Sequence, residues 1–219
     1  MPDTWIPKLP RERLAILPPA PPVDSPDLAD RVRGMLLGVA IGDALGNRSE
    51  GMSPDEREAE FGRITGYLPS KFADGRPAGT PSDDTQLTFR ALEQLLDDGA
   101  LDPDELAFRI ANERIFGISR ATRDFCNALR GGAPWWEATQ QSAGNGALMR
   151  IAPTVLPYLK DGGTQLWYDT VLSTAVTHND PMAQAASVAW VALLWRLLNG
   201  DLPDSPMEWL ETYSEVLRI

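Results

Sequence analysis

"SPDLADRVRGMLLGVAIGDALG", Ser25 to Gly46, is the stretch on which the fold class turns. Ser25 reads as an N-cap, Pro26 suits the first helical position, and Asp27 in the first turn complements the positive end of a helix. These signals predict a helix over Pro26–Leu45 with Gly46 as its stop. Gly34, Gly38, Gly42 and Gly46 recur every fourth residue, so one face carries a stripe without side chains. The three interior glycines cost about 3 kcal/mol relative to alanine, a penalty that predicts close approach by another helix or a ligand. Asp43 falls in the last turn, where the helix dipole disfavours an anion by about 0.3–1 kcal/mol. A carboxylate at that end predicts a partner for it.

Working outward, helix signals continue and no period-2 strand pattern interrupts them. Further helices are predicted over Asp83–Asp97, Pro103–Arg114, Ser119–Arg130, Ala147–Leu159, Leu166–Thr177, Pro181–Leu198 and Pro206–Ile219. Clusters such as "LPSKFADGRPAGTP" separate them. The predicted class is all-α. Residues 1–25 hold "PPAPPVDSP" and read as a stiff, extended leader outside the core, leaving residues 26–219 as the helical domain. "MPDTWIPKLPRERLAILPPAPP" has no continuous apolar run of the kind a secretory signal needs. "AQAASVAWVALLWRLL", Ala183 to Leu198, is short for a bilayer and carries Gln184 and Arg196, so it reads as a buried helix rather than a membrane span.

The 219 residues suffice for one domain, and a composition of 43% hydrophobic and 23% charged residues is that of a soluble globular chain, expected in the cytoplasm. A formal charge of -11 argues against nucleic-acid binding, because no basic cluster is present to neutralise phosphates. An anionic ligand would need backbone N–H groups, a metal or a few local arginines. The one cysteine, Cys126, excludes an internal disulfide and reads as a small buried hydrophobe.

Three helix starts carry the chemistry. In "TPSDDTQLT", Thr80 to Thr88, Asp83 and Asp84 follow Ser82 or Thr80 as N-cap. Capping explains one aspartate better than two. Ser82, Asp83 and Asp84 are also a hard-oxygen set suited to Mg²⁺, and both readings stand. In "SAGNGALMRIAP", Ser142 to Pro153, Gly144 and Gly146 free the backbone N–H groups beside Asn145, and a helix start behind such a loop is an anion site. The alternative is a plain turn, and Arg150 reads either as added charge or as half of a surface pair. "THNDPMAQAA", Thr177 to Ala186, holds the only histidine, His178, either a satisfied polar residue or a ligand contact, with Asp180 and Pro181 opening a helix.

These motifs in this order resemble the ADP-ribosylglycohydrolase family. The resemblance rests on "GMLLGVAIGDALGNRSE" (Gly34–Glu50), "SDDTQ" (Ser82–Gln86), "GNGALMRIAP" (Gly144–Pro153) and "THND" (Thr177–Asp180), and covers about Leu28 to Leu198. It implies an all-α orthogonal multi-helix bundle with a two-Mg²⁺ cleft that binds ADP-ribose, and a hydrolase that frees ADP-ribose from a modified protein side chain. By match, Ser82, Asp83 and Asp84 are implied metal ligands, with Glu50 on a mobile loop that closes over the metals. Gly144, Asn145, Gly146 and His178 are implied to contact the ADP-ribose, with Ser142 nearby. Metal ions that fix ribose hydroxyls and acidify a bound water suit an oxocarbenium-like transition state.

The family's second metal motif, Asp-x-Asp-Thr, does not occur here; Asp201-Leu202-Pro203-Asp204 has other spacing and no threonine. The bundle is therefore expected to be C-terminally incomplete. Three forms fit: a piece of an active hydrolase, a short relative that binds ADP-ribose or acts as a helical interaction protein, and a half-enzyme completed by another chain. Each predicts exposed apolar surface and either self-association or a complementing partner.

Overall fold

The computed structural model describes Trp5 and residues 7–9, 11–72 and 76–218, without the side chain of Pro206. Helices α1 (Arg11–Leu14), α2 (Leu28–Gly46), α3 (Pro54–Phe61), α4 (Asp83–Asp98), α5 (Pro103–Asn112), α6 (Arg120–Arg130), α7 (Trp135–Ala138), α8 (Gln165–Thr177), α9 (Pro181–Leu198) and α10 (Pro206–Val216) follow in order. Among the described residues there is no strand, only two isolated bridges, Ala20 with Gly163 and Gln140 with His178. The all-α expectation holds. Ile219, the predicted end of the last helix, lies outside the described residues, as do residues 73–75 of the connector before α4.

Two apolar clusters share α8. Its first half, through Leu166 and Val171, joins Ile151, Val155, Val188 and Trp195, whereas Val176 near its end packs with Leu87, Ile110, Phe125 and Trp135. Helix α9 has the length and hydropathy of a membrane span, yet over half of it is buried inside the protein, as expected for a core helix. Cys126 is buried in the second cluster, where desolvation pushes its thiol pKa up.

Three local expectations change. Helix α2 starts at Leu28, and Ser25 does not cap it: its hydroxyl accepts from Arg31 Nε at 3.2 Å. Over 147–159 two short 3₁₀ segments, Leu148–Arg150 and Ala152–Tyr158, replace one α-helix. Pro153 and Pro157 lack the N–H groups an α-helix would use there. Helix α3 was not predicted, although Ser53 and Glu56 form a full capping box at its start.

The leader is the larger correction. Leu9, Leu14 and Ala20 are buried in the first cluster rather than lying outside the core. The backbone N–H groups of Lys8 and Leu9 donate to Asn179 and Gln184, while the buried indoles of Trp167 and Trp195 donate to the carbonyls of Pro18 and Pro21, both at 2.9 Å. A proline-rich strand forms few bonds with itself, so its free carbonyls suit a strap across buried donors.

The glycine face of α2 has no partner within the described chain. No atom outside the helix lies within 4 Å of a Cβ built on Gly34, Gly38, Gly42 or Gly46, and Leu37 and Ile41 on the same side are 58% and 47% exposed. Gly38→Ala should therefore stabilise the chain by about 1 kcal/mol in urea unfolding, since it removes backbone entropy from the unfolded state without a clash. A destabilised variant would mean that this face is covered in solution.

Candidate functional site

The partner of Asp43 is the start of α4. Ser82 N donates to both carboxylate oxygens at 3.0 and 2.8 Å, and Ser82 Oγ donates to Oδ1 at 2.7 Å. Thr85 adds its backbone N at 3.1 Å and its hydroxyl at 2.6 Å to Oδ2. Ser82 occupies the N-cap position, but its own side chain caps nothing. A carboxylate from the C-terminal turn of α2 does the capping, where the dipole of α4 favours the charge that the dipole of α2 opposes.

With Asp43 committed to the cap, Asp83 and Asp84 are released from that task. They line a cleft of about 430 Å³ between the end of α2, the start of α4 and the glycine loop, together with Asp43, Glu50, Ser82, Asn145 and Gly146. The structure thus brings Glu50, Ser82, Asp83, Asp84, Asn145 and Gly146 to one cleft. Among the described residues, four carboxylates face this space and the lining contains no lysine or arginine. Asp83 is only 6% exposed, and burial, followed by repulsion from Asp84, pushes its pKa up to about 6. Asp84 is also raised, by burial first and then by Asp43 and Glu50. Acids held against their ordinary ionisation in a cleft make a candidate functional site, and a cation there would favour their charged form.

Gly117, absent from the sequence reading, shapes the floor. It has φ +90°, and a Cβ there would stand 3.0 Å from Asp83 Oδ1 and 3.2 Å from the Phe72 ring. Glycine meets both demands, backbone and contact. Phe72, Ser119 and Met149 complete the wall. Nothing near these residues in sequence marks them; the carboxylate at the unfavourable end of α2 was the one legible sign, and it pointed to Asp43. Glu50 is exposed at the rim, with Lys71 Nζ bonded to its backbone carbonyl.

Ser142, Gly144 and His178 do not line the cleft. His178 lies beneath the loop, 1% exposed: a Cβ on Gly146 would fall 2.9 Å from its Cε1, and one on Gly144 would fall 3.8 Å from its Nε2. Ser142 Oγ accepts from Gly144 N at 3.2 Å, which holds the turn. The anion site expected from a helix start here loses its helix, because the loop opens into a three-residue 3₁₀ turn. Arg150 is fully buried rather than in a surface pair; it donates to Ser173 Oγ, Ser173 O and Thr177 Oγ1.

Two carboxylates and a serine hydroxyl match Mg²⁺ in charge and hardness. The raised pKa values of both aspartates, caused first by burial and then by the neighbouring acids, support that fit, because a cation beside them favours the charged form. Among the described residues, however, no group of three or more His, Cys, Asp or Glu side chains is arranged to hold an ion by itself. Ser82, Asp83 and Asp84 are, among the described residues, the oxygen set whose chemistry fits a hydrated cation.

The comparisons follow the same lines. The family model of the ADP-ribosylglycohydrolases matches residues 24–218. An ADP-ribosylarginine hydrolase, Tri1, of Pseudomonas putida is 32% identical over 183 residues, covering 78% of this chain and 47% of its own length. An ADP-ribosyl-[dinitrogen reductase] glycohydrolase of Rhodospirillum rubrum is 29% identical over 186 residues, covering 80% and 60%. A solved structure described as an ADP-ribosylglycohydrolase-related protein complex superposes with a TM-score of 0.65 at 30% identity, covering 80% of this chain and 59% of that one. The chain thus spans about half the length of the relatives it matches. With the four motifs, the helical fold and a match over nearly its whole length in agreement, the chain belongs to the ADP-ribosylglycohydrolase family.

Proposed function

We propose that this chain forms the Mg²⁺-binding side of an ADP-ribose cleft and hydrolyses the ribosyl bond that joins ADP-ribose to a modified protein side chain. The observation that carries the reading is the cleft itself: four carboxylates, two with raised pKa values, facing a glycine-flanked asparagine. Asp83, Asp84 and Ser82 would hold the cation. Bound there, Mg²⁺ supplies charge neutralisation, a grip on ribose hydroxyls and a more acidic water. The chain's own part is to fix those ligands through Asp43, to place backbone N–H groups of Asn145 and Gly146 against the nucleotide, and to close Glu50 over the rim. Family resemblance and the relatives' names support this substrate class. Incubation with an ADP-ribosylated arginine peptide and millimolar Mg²⁺ should release free ADP-ribose, and excess EDTA should lower the rate at least a hundredfold. Release that ignores EDTA would reject the metal role.

A second reading rests on the partial ligand shell and the uncovered α2 face. In it the chain binds ADP-ribose without turnover until a second copy or a complementing chain covers that face. Calorimetric binding of ADP-ribose without release from the peptide would select this reading.

A further inference from the structure

Deeper than the cleft lies a set of hydrogen bonds whose direction can be worked out. Arg150 is fully buried and, among the described residues, bonds no carboxylate; its Nε has no partner at all. A guanidinium can only donate. Thr177 Oγ1, 3.1 Å from Nη2, must therefore accept from it. The hydroxyl proton of Thr177 then needs an acceptor of its own. Along α8, Thr170 and Thr174 donate to the carbonyls four residues back, Leu166 O and Thr170 O. The equivalent carbonyl for Thr177 is Ser173 O, but among the described residues Thr177 Oγ1 makes no bond to it, and Arg150 Nη2 bonds that oxygen at 2.8 Å instead. What remains is His178 Nδ1, 2.9 Å away.

We infer that Arg150 and Thr177 are positioning residues that fix the tautomer of His178, leaving Nδ1 as acceptor and Nε2–H as a donor aimed at the Gly144–Gly146 loop. The second ring nitrogen of a histidine is set by the bond the first one makes. Here that bond is dictated by a cation two links away. The groups acting on the ring are Arg150 and Asp180; burial and the Arg150 charge lower the His178 pKa to about 4, against a weaker pull upward from Asp180. The imidazole is thus neutral across the physiological range. A neutral Nε2–H beneath two glycines suits an electronegative ligand atom such as a phosphate or ribose oxygen, which is where this inference rests on the proposed ADP-ribose site. Gly146 is needed there because a Cβ on it would stand 3.1 Å from Nε2.

His178 is the only histidine in the chain, so ¹⁵N NMR of the imidazole reports on it alone. At neutral pH the wild-type spectrum should show the Nε2–H tautomer, unprotonated at Nδ1. Thr177→Val, which removes the donor, should shift the ring toward a mixture with Nδ1–H and weaken ADP-ribose binding about tenfold. Thr177→Ser should restore both the wild-type tautomer and the affinity to within about twofold. A wild-type ring in the Nδ1–H form, or an unchanged tautomer in Thr177→Val, overturns the inference; the wild-type spectrum decides even if the valine variant does not fold. ADP-ribose that fails to bind a wild-type protein holding the Nε2–H form would overturn the proposed function and leave the tautomer assignment standing.

Discussion

Asp83→Asn is expected to stabilise the protein in EDTA at pH 7.5 by about 2 kcal/mol while abolishing any Mg²⁺-dependent rise in melting temperature and ADP-ribose release. The opposite signs follow from one cause. Asp83 ionises near pH 6 in the folded chain, above the ordinary 3.8 of an aspartate. Between those values the native state binds more protons than the unfolded state, so stability falls as pH rises from about 4 to about 6 and stays low above it. Asparagine removes that penalty together with the ligand charge. Partial solvent access to the cleft sets the magnitude below the full value of the shift. Chemical unfolding in EDTA at pH 4.5 and 7.5 should show wild type losing stability with rising pH on this account, and Asp83→Asn losing less. If the variant is less stable than wild type at pH 7.5 in EDTA, the buried-acid account is wrong. If it keeps its Mg²⁺ response, Asp83 is no ligand.

Asp43→Ala is expected to act in the other direction, costing about 3 kcal/mol in urea unfolding. It strips the carboxylate that receives two backbone N–H groups and two hydroxyls from Ser82 and Thr85. Hydrogen bonds to a charged group contribute about 1.5–3 kcal/mol each, and a lost N-cap about 1, but bonds sharing one acceptor do not add. Removing Asp43 also lightens the repulsion on Asp84, which offsets part of the loss. Asp43→Asn separates the two contributions: it keeps one acceptor oxygen and drops the charge, so its loss should fall between wild type and alanine. An alanine variant as stable as wild type would sink the assignment of Asp43 as the cap of α4.

The sequence alone was legible where the signal is local. Helices α5, α6 and α9 begin within a residue or two of their cap signals, since Asp102, Ser119 and Asp180 bond the N–H groups that follow them. The acid pair and the glycine loop were legible as chemistry for the same reason: each is a short run of unusual residue types. It failed at the proline-rich leader, because whether an extended strand is solvated or strapped down depends on donors far along the chain, such as Trp167 and Trp195. It failed for Gly117, which matters only because Asp83 sits against it. It left Arg150 either as a charge at the loop or in a surface pair, and the structure buries it.

By itself, then, the order of residues determined an all-α chain, several of its helix starts and the residue types that a cation and a nucleotide would need. Only the tertiary structure decided which aspartate caps and which face the cleft, that His178 lies under the loop, and that the glycine face of α2 stands open. The reason is the range of the forces involved. Caps, turns and proline act within one turn of backbone, whereas desolvation and charge repulsion are set by whatever the fold brings alongside.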